Sequence, residues 1–176
     1  SDLNFLTRLG ERYDAIAAIK AGRLLFTVAG QGLTASGRAM PAITLTRRDG
    51  DQHRYSVTDR DAYSGVKAYW NDTRGAARHT VLAGTDENAK QLRPTYATED
   101  DALAAARAEW QRIQRGLAEF ELTLALGCAD LLPETPLTLA GFKPQIDATA
   151  WLVSEVTHAL NDGGLGTQVR CEVMKN

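Results

Sequence analysis

The C-terminal part of the sequence contains the pattern that most restricts how this chain can fold. Side chains of residues 167–174 alternate, so that Thr167, Val169, Cys171 and Val173 would share one face of a half-buried strand. The preceding run WLVSEVTHAL, residues 151–160, is rich in strand-favouring β-branched and aromatic residues. Between them, residues 161–164 (NDGG) supply the glycines of a tight reversal. The sequence therefore predicts a long hairpin, which we interpret as the closing strands of a β-barrel.

Composition bounds the remaining possibilities. A chain of 176 residues can form one good core or two small modules. Its 20 basic and 22 acidic side chains argue against a general affinity for nucleic acid or anionic lipid. Cys128 and Cys171 lack metal-ligand spacing, which predicts buried, reduced thiols. No apolar run reaches the ~20 residues of a membrane span. Because the sequence passes from Ser1 straight into a helix pattern, we expect it to be a piece of a longer polypeptide.

The first part of the chain predicts a small α+β module at residues 1–46. Ser1 is a good helix N-cap, and apolar residues at helical spacing extend the helix to about Tyr13. Residues 15–20 and 23–29 are predicted to form two short strands. The glycine-rich loop 30–37 (GQGLTASG) lacks the Lys-Ser/Thr of a phosphate-binding loop, so we interpret it as a flexible connection.

The rest, residues 47–176, predicts an antiparallel β-barrel interrupted by a helical insertion at about 84–118. Asp49-Gly50 between two alternating runs predicts a β-hairpin, and residues 63–72 and 78–83 predict another. A helix is predicted over 99–116, with no helix after it. We expect its apolar stripe to pack on the chain's own sheet rather than form a coiled coil; the stripe comprises Leu103, Ala106, Trp110, Ile113 and Leu117.

No pattern of catalytic, cofactor-binding or metal-binding residues emerges. His53, His79 and His158 occur on three different predicted strands without metal-ligand spacing. Asp59 and Asp61 flank an arginine and are interpreted as part of a solvated loop. Neither Ser36 nor Ser64 lies in a nucleophile elbow, and Trp70, Trp110 and Trp151 each fall on an inward stripe, which favours core packing.

Several segments resemble one family of phage proteins. The opening SDLNFLTRLGERYDA is similar to the start of the second module of phage tail-hub proteins and of the VgrG spike proteins of type VI secretion. Gly141-Phe142, the W-x-V-x-x-V-x-H-x-L pattern of residues 151–160 and Gly166-Thr167 resemble the closing hairpin of the hub's second barrel. With RDAYSGVKAYW and the helix before FELTLALG, the chain looks most similar to the late control protein D family of temperate contractile-tail phages.

This resemblance implies a phage tail-hub-like, mostly-β α+β fold and a structural role in the baseplate. The hub would join the tail tube to the central spike as a homotrimer with pseudo-six-fold symmetry, without catalysis, cofactor, nucleic acid, membrane or small-molecule substrate. It would reside in the virion tail, and in the host cytoplasm during assembly. A complete hub would carry another barrel before Ser1. Candidate assembly or barrel-seam residues are Tyr63, Trp70, Trp151 and His158.

Two other functions stay open at this point. A hydrolase carried by the tail would need a cleft that gathers the histidines with Asp59 or Asp61. A late-gene regulator would need a helix with a clustered basic face, whereas the helix over 99–116 mixes charges of both signs.

Overall fold

The computed structural model describes residues 2–20, 22–58, 63–73 and 75–174. These ranges are mostly β, as the sequence predicts, with three helices among the strands. The elements are α1 (Asp2–Tyr13), β1 (Ala15–Lys20), β2 (Arg23–Val28), β3 (Ile43–Thr46), β4 (Gly50–Val57), β5 (Gly65–Asp72), β6 (Ala77–Gly84), β7 (Ala89–Tyr96), α2 (Glu99–Arg115), β8 (Ala118–Leu124), β9 (Pro136–Ala140), α3 (Pro144–Asp147), β10 (Trp151–Asn161) and β11 (Gly164–Val173). No described helix is long and apolar enough to cross a membrane.

The chain divides into two compact units that interleave along the sequence. Unit 1 comprises Ser1–Val28 and Asp59–Gln114, and unit 2 comprises Ala29–Thr58 and Arg115–Asn176. This grouping differs from the contiguous modules predicted at 1–46 and 47–176. The difference arises because β3 and β4 pair with strands that follow the inserted segment.

Unit 2 is built on a six-stranded sheet in the order β3-β9-β10-β11-β8-β4. Its edge strands β3 and β4 are consecutive in sequence, and only residues 47–49 connect them. So short a connection spans at most ~14 Å, so the sheet must curl until its two edges approach each other. The curled sheet is the barrel-like body that the sequence predicts.

The predicted hairpin across Asp49-Gly50 is wrong. β3 pairs in parallel with β9, and β4 pairs antiparallel with β8, so the two strands share no ladder. The Asp49 carboxylate accepts hydrogen bonds from the Thr46 backbone N–H (2.7 Å) and hydroxyl (2.8 Å), which form a local turn. At Gly50 a Cβ would lie 2.3 Å from Leu122 Cδ1. The Asp-Gly sequence therefore forms a tight turn that connects β3, at one edge of the sheet, to β4, at the other edge.

The closing hairpin is confirmed. β10 pairs with β11 from Trp151–Val173 to Asn161–Gly164, with a register shift between Val153 and Glu155. The inward row of β11 (Thr167, Val169, Cys171) is buried, whereas Gln168 and Arg170 are exposed. Along with this row, the core of unit 2 contains Leu45, Phe120, Leu122, Leu131, Leu139, Ile146, Trp151 and Val153.

The expectation of no helix after residue 116 is also wrong, because α3 forms a single turn before β10. Pro144 starts this turn with a backbone angle suited to a helix, and Ile146 is buried. The Ile146 carbonyl accepts a hydrogen bond of 2.8 Å from the Trp151 indole Nε1–H. A helix of four residues is too short to show a helical periodicity in the sequence.

Unit 1 contains α1, the β1–β2 hairpin and a three-stranded sheet in the order β6-β5-β7, on which α2 packs. The predicted hairpin between residues 63–72 and 78–83 is confirmed by the β5–β6 register. The helical stripe also packs on the chain's own sheet, with Ala106 in the core and Trp110 and Ile113 against it. Leu117, its last predicted member, follows the end of α2 and belongs to unit 2.

Candidate assembly surface

The glycine-rich loop after β2 is held by a carboxylate from a distant part of the chain. The Glu134 carboxylate accepts backbone hydrogen bonds from Gly30 (2.9 Å), Gln31 (3.0 Å) and Gly32 (3.0 Å). Gly30 and Gly32 both have positive φ, so their N–H groups converge on one anion. The interpretation of this loop as a flexible connection is therefore wrong: it is an anion-binding turn filled by the protein's own Glu134.

The Arg115 side chain packs beside this turn. A Cβ at Gly30 would lie 2.6 Å from Arg115 Cδ, so a larger residue would displace the arginine. Arg115 is buried, and its Nε donates a hydrogen bond of 2.8 Å to Glu172 on β11. Arg115 thus ties the turn to the closing hairpin within unit 2.

His158 joins the closing hairpin to the segment before β9. Its Nε2 lies 3.1 Å from the Leu131 carbonyl oxygen and its Nδ1 lies 3.0 Å from Thr167 Oγ1, directly across the hairpin. A carbonyl only accepts, so Nε2 carries the proton and donates to it. The Thr167 hydroxyl accepts from the Cys128 N–H and donates to Nδ1. His158 therefore has structural partners on both ring nitrogens.

His158→Ala should lower the free energy of unfolding by about 1–2 kcal/mol, because the carbonyl oxygen of buried Leu131 loses its hydrogen-bond donor. Urea unfolding followed by circular dichroism measures this loss. The matched control is Thr157→Ala, which truncates the neighbouring exposed residue on the opposite face of β10. Equal stabilities of the two variants would contradict the structural role of His158.

The other candidate assembly residues lie in different settings. Trp151 is fully buried in unit 2, where it packs on Phe120 and Tyr55. Trp70, on β5 of unit 1, is half-buried and stacks on the His79 ring at 4.8 Å. Tyr63, before β5, is 43% exposed. The structure brings Trp151 and His158 onto one strand, while Tyr63 and Trp70 belong to the other unit.

The described residues do not form the constellation that a hydrolase needs. His53, on β4, packs against Phe120 and Phe142. Strands β11 and β8 separate β4 from β10, which carries His158. No three described His, Cys, Asp or Glu side chains are grouped so that they could hold a metal ion. Asp59 and Asp61, the carboxylates considered with the histidines, lie outside the described residues.

Charged residues in the middle and last turns of the helix considered for groove binding form ion pairs within unit 1. Glu109 forms ion pairs with Lys90 (2.6 Å) and Arg112 (2.5 Å), and Arg112 also donates to the Glu11 carbonyl oxygen. Burial raises the pKa of Glu109, but these two cations outweigh it and lower the pKa overall. The helix does not present the clustered basic face that a regulator would need.

Cys171 is a buried core thiol. Burial, together with the neighbouring Glu172 carboxylate, raises its pKa to about 12. In a Cys128→Ser variant, we therefore expect no reaction with a disulfide reagent at pH 8 until the protein unfolds, because the thiolate is the reactive form. The control is the matching Cys171→Ser variant, in which half-buried Cys128 should react faster. Rapid labelling of Cys171 in the folded protein would contradict its burial.

The outer face of the barrel sheet presents two ordered polar rows. In the first row, Glu155, Arg170, Glu121 and Arg54 stand opposite one another across β10, β11, β8 and β4. Arg170 pairs with Glu121 at 3.0 Å and with Glu155 at 3.6 Å. In the second row, two residues further along, the members are Thr157, Gln168, Thr123 and Gln52. Sequence reasoning missed these rows because they exist only in the register of strands distant in sequence.

The curled sheet with its closing hairpin belongs to a mostly-β fold that is shared with solved phage tail proteins. Solved structures with this fold include a 43 kDa tail protein of prophage MuSo2 from Shewanella oneidensis (TM-score 0.63, 15% identity, 95% of this chain and 53% of that one). A tail protein from Neisseria meningitidis MC58 is similar (TM-score 0.63, 11% identity, 96% and 53%). A chain in the virion of a native gene transfer agent particle also matches (TM-score 0.61, 16% identity, 97% and 38%).

The chain belongs to the phage tail baseplate hub (GPD) family, whose model matches residues 1–164. It is 41% identical to a probable baseplate hub protein of Escherichia phage 186 and 38% identical to that of Escherichia phage P2. Each match covers 98% of this chain, which spans about half the length of these relatives (55%). The late control protein D resemblance inferred from the sequence is confirmed.

Proposed function

We propose that this chain is the second-barrel part of a baseplate hub that joins the tail tube of a contractile-tail phage or prophage to its central spike. The family match over residues 1–164 carries this proposal. In the full-length protein the partners would be other copies of itself as a homotrimer, the tube protein and the spike protein. The protein would assemble in the host cytoplasm and remain in the virion baseplate.

The role is mechanical and needs no catalysis. The residues that could have served a reaction are used in structural contacts: His158 bridges Thr167 and Leu131, and His79 stacks on Trp70. The Glu134 carboxylate satisfies three backbone N–H groups of its own chain. Such contacts stabilise the structure of each unit, which suits a part that transmits force between tube and spike.

Light scattering on the full-length protein, alone and with its spike protein, tests the proposal. We expect a trimer that binds the spike. A monomer at every concentration, even with the spike protein present, would refute the hub role. Immunogold labelling of tails from an induced lysogen provides a second readout, and label along the tube rather than at the baseplate would contradict the proposed location.

A further inference from the structure

We propose that Asp162, in the turn of the closing hairpin, is a site of covalent self-modification at which aspartate converts to isoaspartate through a cyclic succinimide. Asp49, which also precedes a glycine, is protected from the same reaction by its hydrogen bonds. The conversion needs only the chain and water, so this inference goes beyond the proposed function and does not depend on it.

The sequence offers the reaction at two places, because it contains two Asp-Gly pairs, Asp49-Gly50 and Asp162-Gly163. A glycine after the aspartate favours ring closure, since it has no Cβ beside the attacking nitrogen and its backbone adopts the required angles at little cost. Both aspartates are exposed. Sequence and exposure therefore do not distinguish the two sites, and the hydrogen bonds at each site must do so.

The reaction at Asp162 is balanced without any oxidant or reductant. The Gly163 backbone nitrogen attacks the carbon of the protonated Asp162 carboxyl group, and the amide proton leaves with the carboxyl hydroxyl as one water. The product is a five-membered succinimide ring. Water then opens the ring at one of its two carbonyl groups. Opening at the side-chain carbonyl restores aspartate, whereas opening at the main-chain carbonyl gives isoaspartate, in which the chain runs through the side chain.

Among the residues that the structure describes, none donates a hydrogen bond to the Asp162 carboxylate or forms an ion pair with it. Asp162 and Gly163 form a two-residue turn between Asn161 and Gly164, which pair across the hairpin. Apart from chain neighbours, a Cβ at Gly163 would meet only Asn161 Oδ1 at 3.1 Å. The Gly163 N–H donates to this oxygen (2.8 Å), a contact between exposed groups that water can replace. The reacting atoms are therefore free to meet.

Asp49 is held at its side chain and at both of its backbone groups. Its carboxylate accepts hydrogen bonds from the Thr46 N–H (2.7 Å) and hydroxyl (2.8 Å). Its own N–H donates to the Thr46 carbonyl oxygen (3.0 Å), and its carbonyl oxygen accepts from the Ala125 N–H (2.9 Å). Gly50, whose nitrogen would have to attack, is buried. Ring closure would therefore break the contacts that form this turn.

The same contacts make the Asp49 carboxyl group a poorer electrophile. The hydrogen bond from the Thr46 backbone N–H, followed by that from the hydroxyl, lowers the pKa of Asp49 because both stabilise the charged form. A lower pKa means a smaller protonated fraction at any given pH. Since the protonated carboxyl group is the one that loses water, ionisation and geometry both protect Asp49.

Isoaspartate at Asp162 would lengthen the main chain of the turn by one methylene group. The effect should stay at the tip of the hairpin, where Leu160 and Leu165 pair and both are exposed. The ladder between β11 and β8 begins only at Gln168. We therefore expect faster hydrogen exchange of amides at the tip and unchanged exchange at buried Cys171.

Peptide mapping of aged protein tests the proposal. Folded protein is incubated in mildly acidic buffer and digested, and electron-transfer dissociation distinguishes isoaspartate from aspartate at equal mass. Isoaspartate should form at Asp162 at least about tenfold faster than at Asp49, because reaction at Asp49 requires local opening. In urea the two sites should react within about twofold of each other, since each precedes a glycine. Equal rates in the folded protein, or isoaspartate at Asp162 only in urea, would overturn the proposal.

Two variants test the chemistry and the protection separately. Gly163→Ala adds a Cβ beside the attacking nitrogen and should slow conversion at Asp162 by at least about threefold. Conversion at Asp49 is its internal control and should not change. Thr46→Val removes one donor to the Asp49 carboxylate and should speed conversion at Asp49 alone. An unchanged rate at Asp162 in Gly163→Ala would refute the succinimide route, and unreactive Asp49 in Thr46→Val would refute the assigned cause of its protection.

Discussion

Trp151→Ala is expected to lower the free energy of unfolding by about 3–5 kcal/mol, the usual cost of removing a large buried aromatic side chain. Trp151 is fully buried between Phe120 and Tyr55, and its indole N–H bonds to the Ile146 carbonyl oxygen in α3. The substitution therefore creates a cavity at the start of β10 and leaves a buried acceptor without its donor. Urea unfolding measured by circular dichroism gives the overall loss.

Two variants make the Trp151 prediction specific. Trp151→Phe keeps most of the ring but removes the N–H, so it should cost less than Trp151→Ala while still loosening α3. Trp70→Ala is the matched control in unit 1, where the tryptophan is only half-buried. Hydrogen exchange should show that Trp151→Ala exposes β10 and β11 to solvent. A loss below that of Trp70→Ala would contradict a central packing role for Trp151.

The closing hairpin was predictable because its two strands and its turn are contiguous. The alternation of residues 167–174 and the glycines of the turn specify one local pairing, and the structure has it. Asp49-Gly50 offers an equally local signal, yet the strands on either side pair with β8 and β9, far away in sequence. A hairpin motif in a sequence indicates only that the chain turns at that point. It does not show whether the flanking strands pair more favourably with strands that are distant in sequence.

The contacts of the candidate surface were beyond sequence reasoning for the same reason. The loop of residues 30–37 was interpreted as a flexible connection because the group that holds it, the Glu134 carboxylate, lies about a hundred residues away. Arg54 and Glu155 look like scattered surface charges until the register places them at opposite ends of one row. The family resemblance identified the class of protein, whereas the two polar rows became visible only in the register of the sheet.

The second large effect is expected at Glu134. Glu134→Ala should destabilise the protein by about 2–4 kcal/mol, because the N–H groups of Gly30, Gln31 and Gly32 lose a charged acceptor. Glu134 is buried, so water can replace only some of the hydrogen bonds that the carboxylate accepts. Urea unfolding measures the loss, and exchange of the three loop amides should accelerate.

Controls separate the carboxylate from other consequences of the Glu134 substitution. Glu119→Ala makes the same change at an exposed position on β8 and should be nearly neutral. Glu134 has a φ of +69°, which a glycine adopts with less strain, so Glu134→Gly tests the backbone contribution. If Glu134→Gly is nearly as stable as the natural chain, relief of strain has offset the lost hydrogen bonds. If Glu134→Ala behaves like Glu119→Ala, the carboxylate does not hold the loop and its assigned role is wrong.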